Sequence, residues 1–512
     1  MTITEEIRLA DANGARVGVR GWAALAVLML PVLLVSVDNT VLSFALPQIA
    51  VALEPGSAQQ LWIIDAYPLV LAGLLVTMGV LGDRFGRRRM LLIGATGFAV
   101  VSAASAFAPT AELLIAGRAA MGVFGAMLMP ATLSLLRSIF THRDQRRLAV
   151  AIWAAMFSAG SALGPIVGGI LLEHFSWGSV FLMAVPVLIP LLVLAPILVP
   201  ESRDPAPARI DLVGIALSMA AMVPVVAAIK DVAVHGPTVL AGGLAVAGAI
   251  AGVLFVRRQL HAENPMLDMR LFRTGRFSGA LAVNLLSVVA LVGFLYFVAQ
   301  HLQLVAGLSP LEAGLALIPG LVATIVAGVA VVPVVARFPA QRVVPVALIL
   351  AISGYALVAV TAGSHLGTLL VAFVLLGAGI GAAETVSNDL ILASAPPAKA
   401  GAAGAVSETA YELGAVLGTA VLGGILTARY RAGLEIPAGT PDAAAAAARE
   451  TLGGAVAAAD ALPAAAGEAL RTAAAAAFDA GVTVTASLGA LLVAGAAVVA
   501  AITLGPSRRD RS

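Results

Sequence analysis

Long apolar segments alternate with short polar ones along almost the whole chain. Each apolar segment has about 20 residues, the length that an α-helix needs to cross the hydrocarbon core of a bilayer. The segments lie near residues 22–46, 61–82, 90–108, 112–138, 148–172, 179–200, 212–230, 238–256, 277–304, 311–336, 343–362, 368–395, 402–427 and 481–504. The pattern therefore predicts an all-α integral membrane protein with fourteen transmembrane helices and with both termini on one side.

Segment 428–480 interrupts this pattern, because it is rich in alanine but also contains charged residues. The Pro441-Asp442 pair is typical of a helix start, and Pro463 indicates a break between two helices. Its acids and arginines would be costly in lipid. We therefore predict an amphipathic helical hairpin outside the membrane, and two further spans are the alternative.

Arginines occur in alternate loops, and short loops rich in positive charge stay in the cytoplasm. The arginine-rich loops follow the second, fourth and eighth predicted helices and contain Arg84, Arg87, Arg88, Arg89, Arg143, Arg146, Arg147, Arg257, Arg258, Arg270, Arg273 and Arg276. Both terminal segments are also rich in arginine. This distribution predicts a multi-pass protein of a bacterial inner (plasma) membrane, with cytoplasmic termini and an extracellular hairpin.

The amino-acid composition mainly excludes classes of site and of function. Hydrophobic residues make up 60% of the chain and charged residues only 11%, whereas a soluble domain has about a quarter charged residues. The chain has no cysteine, which excludes disulfides, thiolate metal sites and iron–sulfur clusters. Neither of the two lysines, Lys230 and Lys399, follows a phosphate-binding glycine run, so ATP hydrolysis through a P-loop is excluded. The net charge of +2 is nearly neutral, so we expect no nucleic-acid partner. We also expect no cofactor and no metal. No motif indicates an enzyme or a catalytic residue.

A run of glycines and arginines joins the second and third predicted helices. Its residues are Gly79-Val80-Leu81-Gly82-Asp83-Arg84-Phe85-Gly86-Arg87-Arg88-Arg89. The run resembles the loop signature of the major facilitator superfamily, G-x-L-x-D-R-x-G-R-R. The resemblance implies that these residues latch the cytoplasmic side. A positive-inside anchor is the alternative, but it leaves the glycines and Asp83 unexplained.

Two further motifs narrow the resemblance. The fifth predicted helix contains Gly160-x-x-x-Gly164-Pro165-x-x-Gly168-Gly169, which is similar to the G-x-x-x-G-P-x-x-G-G motif of facilitator-superfamily antiporters. The first contains Asp38-x-Thr40 followed by Ala45-Leu46-Pro47, which is similar to an element of the fourteen-span drug:proton antiporters. The segment from Trp62 to Tyr67 and the long outer loop resemble the branch that exports quaternary ammonium compounds.

The resemblance implies a domain organisation. We expect a major facilitator fold of two six-helix bundles, 22–200 and 277–504, with helices seven and eight inserted in 201–276. Hairpin loop 428–480 belongs to the second bundle, and segments 1–21 and 505–512 are cytoplasmic.

The same resemblance implies the activity. A monomer surrounded by membrane lipid exchanges protons for lipophilic mono- and divalent organic cations by alternating access, driven by the proton gradient. A proton-coupled exporter of one endogenous metabolite or antibiotic is the alternative, and a membrane enzyme or receptor is a third possibility.

Ionisable residues inside spans are costly and are candidates for function. Asp38 and Arg118 lie at similar depths by the rise per residue of a helix, and we predict that they couple transport to protons together with Glu408. A static buried ion pair is the alternative for Asp38 and Arg118.

Carboxylates and aromatic rings together attract organic cations. The predicted substrate-binding residues are Asp65, Asp389, Glu408, Glu412, Trp62, Tyr67, Trp153, Phe157 and Tyr411. Glu408 and Glu412 are four residues apart and share a helix face. The alternatives are solvation of Asp65 at a helix end, structural hydrogen bonds for Glu412 and Asp389, and lipid contact or packing for the aromatic rings.

Overall fold

The computed structural model describes residues 16–204, 211–262, 269–361, 366–394 and 400–505, whose regular structure is helical throughout. The helices are α1 (Val19–Leu53), α2 (Ser57–Phe85), α3 (Arg87–Ser105), α4 (Ala111–Ile139), α5 (Arg143–His174), α6 (Ser179–Leu198), α7 (Leu212–His235), α8 (Val239–His261), α9 (Gly275–Val305), α10 (Pro310–Val335), α11 (Ala340–Thr361), α12 (Leu366–Ala393), α13 (Ala403–Gly433), α14 (Asp442–Glu450), α15 (Leu452–Asp460) and α16 (Ala464–Thr503). The all-α membrane fold is confirmed.

Within the described ranges, 13 helices are long and apolar enough to cross a bilayer. They match every predicted span except 90–108, which corresponds to α3. This helix falls short on composition because its first turn consists of Arg87, Arg88 and Arg89.

The geometry nevertheless requires α3 to return across the membrane. Gly122 of α4 lies against the Tyr67 carbonyl of α2, and Gly79 further along α2 lies against Pro130 further along α4. The two helices therefore run parallel, so the chain between them must come back to the face from which α2 starts. The 19 residues of α3 extend for about 28 Å, close to the thickness of the hydrocarbon core. We infer that α3 is the fourteenth crossing.

Helix packing divides the transmembrane helices into three groups. In the first bundle, α1 packs on α5 and α6, α2 on α4, and α3 on α4 and α6. In the second bundle, α12 packs on α9, α10 and α11, while α16 packs on α9 and α11 and α13 on α9. The inserted helices α7 and α8 pack on each other, and α7 also lies against α2 and α13.

The helix ends form two opposite faces of the molecule, the arginine face and the hairpin face. The arginine face holds the α2–α3 turn at Gly86 and the α4–α5 turn. The hairpin face, at the opposite ends, holds the α1–α2 turn and helices α14 and α15. Segments 1–15 and 506–512 lie outside the described residues, so the predicted cytoplasmic location of the termini stays a prediction.

The hairpin differs in part from its prediction. Helix α14 starts directly after Pro441, and Pro463 separates α15 from α16, as predicted. A further break at Thr451, whose hydroxyl caps α15 by accepting from the Gly454 amide, was not predicted. The second arm is also not a separate helix, because α16 runs without interruption for 40 residues into the last span.

The glycines of the α5 motif set how closely α5 approaches α1. A Cβ atom on Gly164 would lie 1.8 Å from Thr40 Oγ1, and one on Gly160 would lie 2.6 Å from Ser36 Cβ. Such contacts are shorter than any real side chain makes, so only hydrogen fits at these positions. Small residues permit this close approach of membrane helices. The predicted antiporter motif therefore has a packing role within the first bundle.

We expect Gly164→Val to destabilise the protein because it overfills the α1–α5 contact. The expected loss in the free energy of unfolding is about 1–3 kcal/mol, measured as a lower thermal unfolding midpoint in detergent. Gly242→Val on α8 is the matched control, because nothing lies within 4 Å of a Cβ atom there. Equal effects of the two substitutions would contradict the packing role.

Candidate functional site

The two bundles touch along a seam, and their contacts concentrate toward the hairpin face. A Cβ atom on Gly169 of α5 would lie 2.8 Å from the Pro310 carbonyl of α10, and the Gln303 side chain donates to the Phe44 carbonyl of α1 over 3.1 Å. Leu61 of α2 reaches Gly423 of α13. The seam is therefore closed at the hairpin face.

Toward the arginine face the seam is looser. Among the described side chains between residues 144 and 157 of α5, Ala149 alone is buried. A helix that packed against both bundles would bury more than one side chain over this length. From this low burial we infer that a gap between the bundles opens toward the arginine face, and that the candidate site lies where this gap ends, midway through the membrane.

Asp38 of α1 and Arg118 of α4 form a buried ion pair inside the first bundle. Arg118 Nη1 lies 2.6 Å from Asp38 Oδ2, and its Nε donates to the Ile63 carbonyl over 3.2 Å. The guanidinium also lies over the Tyr67 ring, 4.6 Å from its centroid. The structure thus brings together the two residues predicted to share a depth. Their role in proton coupling stays a prediction.

Glu412 of α13 reaches across the seam to α1. Its Oε1 accepts a hydrogen bond from Asn39 Nδ2 over 3.1 Å, next to the Asp38–Arg118 pair, and its side chain is 0% exposed. Asn39 was not predicted as a site residue, although it lies inside the Asp38-x-Thr40 motif.

On the second-bundle side of the seam, each of three carboxylates has one oxygen without a partner. Glu412 Oε2, Glu408 Oε1 and Glu384 Oε1 are buried and have no hydrogen-bond partner among the described residues. Glu384 lies on α12 and the other two on α13. Buried carboxylates without a counterion are unfavourable when charged, so this cluster favours binding of a proton or a cation. Glu384 was not among the predicted site residues; its side chain is half-buried, with Oε1 buried.

An aromatic wall lies beside these carboxylates. Trp153 and Phe157 of α5 are stacked with their centroids 6.4 Å apart, and Phe157 meets the edge of Tyr411 at 5.4 Å. Tyr411 precedes Glu412, so the wall and the carboxylates share one level of the seam. All three rings are partly exposed. Three predicted substrate-binding aromatics are therefore assembled next to the acids.

Other predicted substrate-binding residues lie elsewhere. Tyr67 is fully buried beneath Arg118, and its ring meets the edge of Phe98 at 6.1 Å. Asp389 is exposed near the arginine-face end of α12, while the neighbouring Asn388 accepts from Ser407. The α2–α4 packing turns Tyr67 into the first bundle, and on α12 it is Asn388 that contacts α13, at Ser407 next to Glu408.

Asp65 and Trp62 are also covered, in their case by α7. Lys230 Nζ lies 2.9 Å from Asp65 Oδ2 and 3.9 Å from the centroid of the Trp62 ring. Both charged side chains are almost fully buried, so Asp65 is not solvated at a helix end. Lys230 was not predicted as a partner of Asp65, although a lone lysine in an apolar segment is a signal of buried charge.

The arginine-rich motif connects to the end of α6 in its own bundle. Asp83 pairs with Arg87 at 2.8 Å, and Arg87 donates to the Ser202 hydroxyl over 3.1 Å. The Glu201 carboxylate accepts from the amides of Arg88 and Arg89 and so caps α3. Gly86 has a φ of 113°, which favours glycine at this turn. Arg84 contacts the Phe85 ring. The predicted latching role remains a prediction.

A family model described as Major Facilitator Superfamily matches residues 28–419, well over half of the chain. The chain belongs to the major facilitator superfamily. It is 55% identical over 488 residues to the multidrug efflux pump LfrA of Mycolicibacterium smegmatis, covering 95% of this chain and 97% of LfrA. It is 38% identical over 455 residues to the methyl viologen resistance protein SmvA of Salmonella typhimurium, covering 87% of this chain and 90% of SmvA.

Solved structures support the fold of this superfamily member. A bacterial homologue of the human lysosomal transporter Spinster, in an inward-facing and unoccupied conformation, matches with a TM-score of 0.65. The match covers 97% of this chain and 100% of that one at 17% identity, so it shows the fold alone. The resemblance to multidrug exporters is confirmed, and the facilitator is a membrane transporter rather than an enzyme.

The hairpin fastens the closed end of this transporter. Ser57 at the start of α2 donates to the Glu450 backbone carbonyl over 2.5 Å, and Arg431 at the end of α13 binds the Glu450 carboxylate at 3.2 Å. In addition, Gly453 of α15 lies against Ala50 of α1. The hairpin is continuous with α13 and α16 but contacts the first bundle, so it bridges the seam.

We expect a disulfide in Ser57→Cys/Glu450→Cys to block transport, because the hairpin face could then no longer open. The native chain has no cysteine, so maleimide labelling reports the crosslink directly. A reductant should restore transport. The control pair is Asp460→Cys/Arg471→Cys, at an ion pair inside the hairpin, which should crosslink without blocking transport. Full transport by the crosslinked Ser57–Glu450 pair would contradict the bridge.

Proposed function

We propose that this facilitator is a proton-driven antiporter that exports lipophilic mono- and divalent organic cations by alternating access. The cluster of unpartnered Glu384, Glu408 and Glu412 oxygens beside an aromatic wall carries the proposal. Carboxylates supply charge attraction, and aromatic faces bind cationic or flat ligands. LfrA is named for multidrug efflux and SmvA for resistance to methyl viologen, an organic dication, and both names are consistent with this substrate class.

The arginine face is assigned to the cytoplasm, because positive charge in short loops stays inside. The gap then opens inward and receives substrate from the cytoplasm or the inner leaflet of a plasma membrane. Both termini are cytoplasmic in this orientation. No cofactor is needed, since the proton gradient supplies the driving force. Both sides of the seam come from one chain, so a monomer is sufficient.

Transport follows from the competition between protons and cations for the same acids. An organic cation that enters the gap meets Glu408 and Glu412 and displaces their protons to the cytoplasm. The bundles then rock until the gap opens at the hairpin face. Protons entering from outside neutralise the acids, the attraction is lost, and the cation leaves. A neutral or anionic metabolite would gain nothing from these acids, so the cluster favours cations over the alternative substrate.

Asp38 and Arg118 couple protonation to the conformation of the first bundle. Their pairing joins α1 to α4, and Asn39 on the next residue joins α1 to Glu412. Protonation of Asp38 would release Arg118 and loosen α1 within the first bundle. A proton can therefore change the seam without touching substrate.

The hairpin modulates the outer gate and is not part of the substrate site in this proposal. Its contacts to Ser57 and to α1 have to break before the hairpin face opens. They therefore set the rate of opening, while the binding groups lie deeper in the seam.

Asp38→Asn should abolish efflux of ethidium while the protein still reaches the membrane. Asparagine keeps the size of the side chain but cannot exchange a proton at this site. The measurement is ethidium efflux from energised cells, with membrane content from immunoblots. Asp442→Asn on the exposed hairpin is the matched control and should leave efflux unchanged. Wild-type efflux by a well-expressed Asp38→Asn protein would refute the coupling role.

Glu408→Gln should weaken binding of dications more than binding of monocations. Removal of a carboxylate removes one electrostatic attraction in a poorly screened cavity. The energy of this attraction is about twice as large for a dication as for a monocation. We expect an additional loss of about tenfold for dications, measured as dissociation constants of matched mono- and bivalent quaternary ammonium compounds. Glu435→Gln, at an exposed position, is the control. Equal losses for both classes would argue against a charge-selective role.

A further inference from the structure

Lys230 is the one buried lysine among the described residues, and it comes from an inserted helix rather than from either bundle. Its side chain is 1% exposed. Its ammonium lies 2.9 Å from Asp65 Oδ2, donates to the Leu61 carbonyl over 2.9 Å, and sits 3.9 Å from the centroid of the Trp62 ring. All three partners belong to α2. Helix α7 is therefore fastened to the first bundle by one charged group.

The surroundings of this ammonium match what an organic ammonium ion requires. A carboxylate supplies the opposite charge, a backbone carbonyl accepts an N–H, and an aromatic face contributes a cation–π contact. Arg118, the other buried cation nearby, is already paired with Asp38. Asp65 thus depends on Lys230 for its counterion in this conformation.

We propose that Lys230 is a tethered competitor of the cationic substrate, whose ammonium fills an organic-cation subsite formed by Leu61, Trp62 and Asp65. The inference rests on the proposed export of organic cations and adds a specificity-determining residue to it. While Lys230 is in place, Asp65 contributes no net charge to the seam. Substrate then binds through the acids of α12 and α13 alone.

The position of α7 makes this competition sensitive to the transport cycle. Val226 of α7 packs with Leu69 of α2 and with Val416 and Ala420 of α13. Val416 follows Glu412 by four residues and so lies on the same face of α13. Parting α2 from α13 would remove the apolar contacts that hold α7 over the seam. The subsite is therefore available to substrate only when α7 moves.

The test uses purified full-length protein in detergent and ethidium as the probe. Lys230→Met keeps the length of the side chain but leaves Asp65 without a counterion. We expect this variant to bind ethidium about tenfold more tightly than wild type. Ethidium should also raise its unfolding midpoint more than that of wild type, because the probe replaces the missing ammonium.

Asp65→Asn/Lys230→Met removes both charges and should return ethidium affinity to the wild-type value. Asp231→Asn, next to Lys230 but facing Thr238 and His235, is the control and should leave affinity unchanged. If Lys230→Met does not fold, Lys230→Gln, which also leaves Asp65 without a counterion, takes its place and should bind ethidium about tenfold more tightly. In the double variant, a tenfold loss of affinity would mean that substrate already uses Asp65 and would overturn the inference.

The experiment distinguishes a failure of the proposed function from a failure of the competitor role of Lys230. If wild type binds no organic cation, the proposed function is wrong. If wild type binds ethidium but Lys230→Met binds it no more tightly, or if the gain persists in the double variant, the competitor role of Lys230 is wrong and the proposed function stands.

Discussion

The cost of placing a charge among apolar helices governs this transporter. In the first bundle the cost is offset within the protein, because Asp38 is paired with Arg118 and Asp65 with Lys230. On the other side of the seam, Glu412 has one amide partner, Asn39, but no described residue supplies a counterion. The second side is thus the one that needs a proton or a cation from outside. Exchange between these two ligands is the simplest use of such an asymmetry.

The helices that surround this asymmetry have two kinds of contact. Glycine-mediated contacts, such as Gly164 against Thr40, hold the first bundle together at a distance that no other residue permits. Contacts across the seam are fewer, and two helices that line it contain π-helical turns, His301–Val305 in α9 and Gly418–Gly423 in α13. Such turns interrupt the regular α-helix and are frequent at functional sites. Rigid bundles with an irregular, loosely joined seam are suited to alternating access.

Much of the fold could be predicted from the sequence, because hydropathy over 20 residues reports directly on the bilayer. The depth of Asp38 relative to Arg118 also followed, since it depends only on the rise of a helix. The rotation of each helix about its own axis could not be predicted from the sequence. Helices that are apolar on every side give no signal for the direction of Tyr67 or Asp389. Partners that meet through packing, such as Lys230 for Asp65 and Asn39 for Glu412, depend on helix contacts that the linear pattern does not contain.

Competition of protons and organic cations for the same acids of the seam is tested most directly by proton release on ligand binding. Purified wild-type protein in weakly buffered detergent would be titrated with tetraphenylphosphonium while a pH indicator follows the solution. If the two ligands compete, cation binding releases protons, and affinity for the cation falls as the pH is lowered. Saturable binding without proton release at any pH between 5 and 9, a range of about two units on either side of neutral, would contradict it.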